Sequence, residues 1–212
     1  MENDKTSKDA SQKAPRGQRA AVDSERRQQV IAAADEHFRV YGFNKTTIAD
    51  LAKAIGLSSA YIYLLFESKQ AIGEAICQRC LEKIQEELLV ISREQTSAAD
   101  RVRRIFQSLV QQSKALFFNE RKLHDIVVVS ISEGWESSTN HQLKLLSIVR
   151  QLIVEGREAG EFERKTPLDE TCEAIMQTFL PFSDPLLLEK NLDRIEMKAT
   201  AVANLVLRSL SS

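Results

Sequence analysis

The sequence has few of the residues that turn or cross-link a polypeptide. Its 212 residues include seven glycines, four prolines and three cysteines. So few glycines and prolines leave turns rare and favour long helices. An odd number of cysteines without a regular spacing excludes a disulfide scaffold and indicates a reducing compartment, which we take to be the cytoplasm.

Long apolar runs are also missing. No stretch approaches the roughly 20 apolar residues that a membrane-spanning helix needs, and the polar, charged first residues do not form a secretory signal. Hydrophobic residues make up 43% of the chain and charged residues 28%, which is typical of a globular protein. We therefore expect a soluble cytoplasmic protein without a membrane partner.

The charge is nearly balanced but unevenly distributed. The net charge is −1, which argues neither for nor against nucleic acid. From Lys13 to Lys69 there are nine Lys or Arg against six Asp or Glu, whereas from Ala71 onward there are eighteen against twenty-one. This weak asymmetry suits a small DNA-reading unit on a neutral body, although a solvated surface also produces such differences.

The first residues show no apolar periodicity and are rich in Lys, Ser, Asp and Gln, which predicts a disordered arm over 1–23. Lys13, Arg16 and Arg19 give its second half a positive charge. Two interpretations stay open: a solvated tail, or an arm that touches DNA phosphates or a minor groove.

Apolar periodicity then predicts a first helix, two short helices and a much longer fourth helix. Their caps and stops are Ser24 and Gly42 for the first, Thr47 and Gly56 for the second, Ser58 and Leu65 for the third, and Ser68 for the start of the fourth. Thr47 and Asp50 have the spacing of a capping box, in which the hydroxyl accepts a backbone N–H of the first turn.

Helical periodicity continues to the end of the sequence. Five further segments are predicted, over 98–118, 121–136, 140–159, 168–181 and 187–210. No segment alternates with a period of two for long, so we predict an all-α fold of about nine helices.

The window from Thr47 to Phe66 has the pattern helix, glycine turn, helix. Such a turn sets two short helices at a steep angle, so that the second can enter a major groove while the first crosses the DNA backbone. Small residues that permit a close approach begin the second helix: Ser58, Ser59 and Ala60. Tyr61 and Tyr63 offer hydroxyls to phosphates or base edges and rings to thymine methyls. The same geometry also occurs inside helical enzymes, and Tyr63 could instead be a packing residue with its hydroxyl in water.

Residues 24–80 resemble the DNA-binding domain of the tetracycline-repressor (TetR/AcrR) family. The matching residues are Ile31-Ala-Ala-Ala34, Phe38, Gly42, Thr46-Thr47-Ile48-Ala49-Asp50-Leu51-Ala52, Gly56-Leu57-Ser58, Ile62-Tyr63, Phe66 and Ser68-Lys69. The resemblance implies a helix-turn-helix DNA-binding domain over 24–67 and a helical effector-binding and dimerisation domain over 68–212.

The resemblance also implies which side chains meet DNA. Thr47, Tyr63 and Lys69 occupy family positions that contact phosphates. The positions that approach bases are those of Ala49, Ser59, Ala60 and Tyr61. Ala60 stands where Gly is common, Tyr61 where a small residue is common, and Leu64-Leu65 where His or Tyr is frequent. These departures affect the operator sequence rather than family membership.

The last predicted helices carry an apolar seam. Leu188, Leu192, Ile195, Ala199, Val202 and Val206 repeat with four–three spacing, as in helix-on-helix packing. Part of this seam must serve the intramolecular core. The resemblance implies that the last two helices of each chain form a four-helix dimer interface, so we predict a homodimer through 168–181 and 187–210.

The resemblance further implies a small-molecule effector in the helical body, whose binding shifts the spacing of the two DNA-binding heads. Candidate lining residues, mostly aromatic, are Phe106, Phe117, Trp135, His141, Met176 and Phe179, with Phe118 and Leu145 nearby. His124, His141, Glu133 and Ser130 could supply polar groups. Each of these residues could equally be plain core.

Catalytic and metal motifs are missing. We find no nucleophile elbow, no HExxH and no glycine-rich phosphate loop, and Cys77 and Cys80 lack further ligands nearby, so we expect neither an enzyme nor a cofactor or metal. We predict a transcriptional regulator, a repressor that leaves its double-stranded operator when an unidentified effector binds. The alternative is a helical protein-interaction module without specific DNA binding.

Overall fold

The computed structural model describes residues 16–211, which form ten α-helices: α1 (Arg16–Tyr41), α2 (Ile48–Ile55), α3 (Ser59–Leu65), α4 (Lys69–Ser92), α5 (Ala98–Asn119), α6 (Arg121–Ser132), α7 (Glu136–Glu158), α8 (Leu168–Ser183), α9 (Pro185–Asn191) and α10 (Ile195–Leu210). Within this range the only β pairing is one bridge between Phe162 and Ser211. The predicted all-α class is confirmed, with ten helices instead of about nine.

The helix boundaries around α2, α3 and α4 agree with the sequence-based caps. The hydroxyl of Ser58 accepts the backbone N–H of Tyr61 at 3.1 Å, and the hydroxyl of Ser68 accepts that of Ala71 at 3.1 Å. Gly56 ends α2 with a φ of 66°, the left-handed conformation that glycine adopts at little cost.

The structure corrects the boundary of the predicted arm. Helix α1 begins at Arg16, so residues 16–23 are helical, and Ser24 lies inside the helix instead of capping it. Good helix formers such as Gln18, Arg19 and Ala20 extend the helix even though this stretch has no apolar face. Lys13 and the rest of the predicted arm lie outside the described residues.

Two predicted segments in the body have different limits. The segment predicted over 121–136 ends at Ser132, because Gly134 adopts a φ of 66° and reverses the chain. Helix α7 therefore begins at Glu136 instead of residue 140. The segment predicted over 187–210 is two helices, because Arg194 adopts a left-handed φ of 56° between them. Asn191 and Asp193, which are weak helix formers, precede this break.

The interior consists of two main apolar clusters. The head core joins α1, α2 and α3 to the first half of α4, to α6 and to the side chain of Trp135; it includes Val30, Phe38, Phe43, Leu51, Ile62, Phe66, Ile72 and Ile126. The body core joins α4, α5, α7, α8 and α10, and includes Leu88, Ile105, Phe106, Leu152, Phe179 and Leu207. Because α4 contributes to both clusters, it connects the head to the body.

Between residues 16 and 211, no single helix has both the length and the apolar composition to cross a membrane. The sharply bent pair α2 and α3 meets those two criteria only when its helices are counted together.

Candidate nucleic-acid interface and ligand cavity

A reciprocal pair of hydrogen bonds begins α2. The backbone N–H of Thr47 donates to Asp50 Oδ2 at 2.8 Å, and the backbone N–H of Asp50 donates to Thr47 Oγ1 at 3.2 Å. Donation from the Thr47 hydroxyl and then from its backbone holds the pKa of Asp50 below its ordinary value. The predicted capping box is confirmed, and it leaves the side chain of Thr47 exposed.

Helix α3 has a buried side and an exposed side. Ile62, Leu65 and the following Phe66 are buried in the head core. The guanidinium of Arg27 lies 4.2 Å from the centre of the Phe66 ring and donates to the carbonyl of Leu65, which anchors the end of α3 to α1. The axes of α2 and α3 bend by 102° at the glycine turn.

Three of the eight residues predicted to face DNA are exposed on α3 or at its N-cap. Ser58, Ala60 and Tyr63 are exposed, Tyr63 by 55%, while Ser59 and Tyr61 are half-buried. Ala49 on α2 is exposed as well. Leu64 is 80% exposed on α3, although it is not among the residues predicted to face DNA. Leu64 follows Ala60 by four residues, and this helical spacing predicts that both side chains lie on the same side of α3.

Lys69, which is predicted to contact phosphate, is half-buried, and its ammonium group also makes hydrogen bonds within the protein. Its Nζ donates to the carbonyls of Phe43 at 3.0 Å and Thr46 at 3.1 Å, and it lies 4.3 Å from the centre of the Phe43 ring. Partial burial lowers the pKa of Lys69, against the opposing effect of Glu133. Lys69 therefore fastens the loop between α1 and α2, directly before Thr47.

A cavity of about 400 Å³ lies in the body, bounded by α4 to α9. Most of its lining is apolar, and this apolar set includes Leu81, Ile84, Leu109, Leu116, Val127, Leu145, Met176, Phe179 and Leu188. Of the six residues predicted to bind an effector, the structure brings His141, Met176 and Phe179 to this cavity. Leu145, a further candidate lining residue, and His124, a candidate polar group, line it too.

The structure places the other three predicted residues in apolar packing. Phe106 is buried in the body core behind Phe179, with ring centres 4.4 Å apart. Phe117 packs edge-on against His124 at 5.0 Å, in a smaller cluster. Trp135 packs against Phe43 in the head core. Glu133, Ser130 and Phe118 are likewise absent from the described lining of this cavity.

Two histidines are among the polar residues that line the cavity. His141 Nδ1 lies 3.0 Å from Gln85 Nε2, and burial, followed by the charge of Lys144, lowers its pKa to about 4. His124 is only 2% exposed, and neither ring nitrogen has a hydrogen-bond partner of normal geometry. Burial also lowers the pKa of His124, so both imidazoles are neutral near pH 7.

The predicted apolar seam of the last helices faces inward. Leu188, Ile195, Ala199 and Val206 are buried within the chain, where α10 packs against α5. The seam spacing therefore reflects intramolecular packing, as one of the two interpretations held. A different apolar row, Met197, Ala201 and Leu205, lies on the exposed side of α10 at intervals of four residues.

The cysteines are not arranged for chemistry. Cys77 and Cys172 are buried and Cys80 is partly buried, and all three are free thiols. Burial raises the pKa of each thiol, that of Cys80 to about 12. No three His, Cys, Asp or Glu side chains in the described part of the chain are grouped as a metal site would require.

Two stretches of the chain match known families. Residues 30–76 match the bacterial regulatory proteins of the tetR family, and residues 98–203 match the tetracyclin repressor-like C-terminal domain. No curated protein matches the sequence.

Similar solved structures cover nearly the whole chain. A TetR-family transcriptional regulator from Pectobacterium atrosepticum is 19% identical with a TM-score of 0.73, over 90% of this chain and 96% of that one. A transcriptional regulator from Cytophaga hutchinsonii is 21% identical with a TM-score of 0.66, over 87% and 98%. FadR from Bacillus subtilis, in complex with stearoyl-CoA, is 17% identical with a TM-score of 0.63, over 86% and 98%. At such identities the likeness shows the fold alone.

A helix-turn-helix domain followed by a helical C-terminal domain defines a DNA-binding transcription regulator rather than an enzyme. The chain belongs to the TetR family of bacterial regulators, whose members bind DNA operators and small-molecule effectors and act as dimers.

Proposed function

We propose that this regulator is a cytoplasmic repressor that holds a palindromic operator as a homodimer and releases it when a small molecule enters the body cavity. The observation that carries the proposal is the exposed side of α3. Ala60, Tyr63 and Leu64 project there from a short helix that is capped by Ser58 and held from behind by Ile62. A short, capped helix with one side buried and the other exposed can lie in a major groove.

Each exposed residue has a role that fits its chemistry. The Tyr63 hydroxyl donates to a phosphate, the start of α2 at Thr47 lies beside the DNA backbone, and Ala49 approaches the neighbouring bases. Ser58, Ser59, Ala60 and Tyr61 form the part of the interface nearest the base edges. Leu64 suits an apolar contact with a thymine methyl. Lys69 acts on DNA through the loop that it fastens before Thr47.

A second copy of the chain completes the proposed interface with DNA. One short recognition helix reads few base pairs, whereas two copies roughly 34–36 Å apart read successive turns of a palindrome. We place the dimer contact on α8 and α10, where Met197, Ala201 and Leu205 form an exposed apolar row. An uncovered row of this kind favours burial against its symmetry mate.

Sedimentation tests the dimer. Leu205→Glu places a charge in the proposed contact, and we expect it to convert a dimer at micromolar concentration into a monomer. Val90→Glu is the matched control, because Val90 is 65% exposed on α4, away from α8 and α10. A monomeric wild-type protein, or equal effects of both substitutions, would contradict the proposed interface.

Contacts between the cavity and the head support release by an effector. Gly134 and Ser138 line the cavity on either side of Trp135, and the Ser138 hydroxyl donates to the Trp135 carbonyl at 2.9 Å. The Trp135 ring packs against Phe43, whose carbonyl accepts from Lys69. A ligand that displaces the start of α7 would therefore act on the loop that positions α2. FadR in complex with stearoyl-CoA shows this fold in a ligand-bound regulator.

A gel-shift experiment with DNA flanking the gene tests operator binding. We expect a shift that survives an excess of scrambled DNA, because specific affinities exceed non-specific ones by typically a thousandfold or more. Equal shifts with scrambled DNA, at low salt only, would favour the protein-interaction module instead. Deleting the gene should raise expression from the flanking promoter, and lowered expression would contradict repression.

A further inference from the structure

The charges around the body cavity restrict what can enter it. Among the described residues that line it, the only titratable side chains are His124, His141, Glu173 and Asp184, and none is Lys or Arg. Both histidines are neutral near pH 7 because burial lowers their pKa values. A carboxylate or phosphate buried here would meet no compensating cation, and burying an unpaired charge is costly.

The two carboxylates do not make the cavity a cation site. Asp184 Oδ1 accepts the backbone N–H groups of Leu186 and Leu187 at 2.9 and 3.0 Å, so it caps α9. Glu173 is exposed and accepts from the Gln177 amide at 2.9 Å. Organic cations are commonly held by clusters of aromatic faces, whereas Phe179 is the only Phe, Tyr or Trp in the described lining.

One buried polar group in the lining, His124, makes no hydrogen bond of normal geometry, and the backbone of Pro185 interacts weakly with its ring. Its side chain is almost fully buried. Its Nδ1 is 3.9 Å from an Asp125 carboxylate oxygen, too far for a hydrogen bond. The Phe117 ring covers it edge-on. A buried imidazole without a hydrogen bond of normal geometry costs free energy that a ligand hydroxyl or carbonyl in the cavity would recover.

From these observations we infer that the cavity takes an uncharged, largely aliphatic molecule bearing one hydroxyl or carbonyl group, and that His124 pairs with this group. The inference rests on the proposed function, since it names the ligand class of the same effector site. A cavity of about 400 Å³ suits a small ligand of this kind. His124 acts here as the residue that selects a neutral polar group over a charged one.

Three ten-carbon probes test the charge selection: decan-1-ol below its solubility limit, and decanoate and decyltrimethylammonium below their micelle-forming concentrations. Trp135 is the single tryptophan of the chain and adjoins two cavity residues, so its fluorescence reports binding to the full-length protein. We expect saturable binding of decan-1-ol at neutral pH, at least roughly tenfold tighter than either charged probe. Tighter binding of a charged probe, or no binding of decan-1-ol, would overturn the inference.

A pair of histidine variants tests the role of His124. His124→Phe keeps a planar ring but removes both hydrogen-bonding nitrogens, and should weaken decan-1-ol binding by about five- to tenfold. His37→Phe is the matched control in the head and should leave that affinity unchanged. Equal affinities in wild type and His124→Phe would contradict the assignment. If His124→Phe does not fold, the probe series on the wild-type protein still decides the charge selection.

Operator binding is measured on the same preparations. If the protein binds its operator specifically but does not prefer decan-1-ol, only the inference about the ligand is contradicted. If it binds decan-1-ol but gives no specific DNA shift, the proposed function is contradicted instead.

Discussion

The ring of Trp135 lies edge-on to the ring of Phe43, with centres 5.6 Å apart and planes at 72°. Trp135 immediately precedes α7 in the body, whereas Phe43 belongs to the loop between α1 and α2 in the head. This aromatic pair therefore links the segment between the cavity residues Gly134 and Ser138 to the loop that supports the DNA-reading helices.

Gly73 lies beneath this aromatic pair and leaves no room for a side chain. A Cβ at this position would be 2.6 Å from Phe43 Cε2 and 3.0 Å from Trp135 Cη2. We expect Gly73→Ala to displace the two rings, to cost about 1–3 kcal/mol of unfolding free energy, and to change operator affinity as well. Urea denaturation and gel shift measure the two effects.

Gly156→Ala is the matched control, because its Cβ would collide with the Phe162 ring at the far end of α7. It should lower stability in a similar way but leave the operator affinity of the folded fraction unchanged. If both substitutions change operator affinity equally, the contact between Trp135 and Phe43 has no special role.

Tyr63 offers the most direct test of the DNA interface. Because its side chain is 55% exposed, Tyr63→Ala should weaken specific operator binding by roughly tenfold while the protein stays folded. Tyr41→Ala is the control, since Tyr41 is equally exposed but lies at the end of α1. Retained specific affinity in Tyr63→Ala, measured by fluorescence anisotropy, would count against α3 as the recognition helix.

Lys69→Met tests whether this lysine meets phosphate or fastens the loop. We expect a loss of about 1 kcal/mol of stability, because the carbonyls of Phe43 and Thr46 lose their donor. Operator affinity should fall while its dependence on salt stays the same. A salt slope smaller by about one would instead indicate a lost phosphate contact. Lys53→Met, on the exposed surface of α2, should leave stability within about 0.5 kcal/mol.

The buried His141 predicts a specific dependence of stability on pH. Its pKa falls from 6.5 in the unfolded chain to about 4 in the folded one. Between these values the unfolded state binds the additional proton, so stability is complete above 6.5 and declines as the pH falls toward 4. Chemical denaturation should show His141→Gln losing less stability over this window, by roughly 1.4 kcal/mol for each pH unit. Identical profiles would contradict the assigned pKa.

The features that the sequence predicted well are local. The caps at Thr47, Ser58 and Ser68 and the stop at Gly56 depend on hydrogen bonds and dihedral angles within a few residues, so the pattern alone locates them. The same holds for the buried Ile62, because its helical spacing fixes the side of α3 that must face inward.

The features that the sequence could not decide depend on long-range packing. Phe106, Phe117 and Trp135 have the residue types of a ligand pocket, but only the arrangement of α4 to α9 decides which aromatic side chains face empty space. The inward seam of α10 has the same cause, since four–three spacing does not reveal whether the partner is α5 or a second chain. The break at Arg194 escaped prediction because a left-handed arginine has no signature in the sequence.

The three thiols have a consequence for how the protein responds to its surroundings. A thiol reacts with peroxides and electrophiles as the thiolate, and burial keeps Cys77, Cys80 and Cys172 protonated at neutral pH. We therefore expect the three thiols to react slowly with peroxides and electrophiles at neutral pH. The proposed switching would then depend on what occupies the body cavity and not on the oxidation of these thiols.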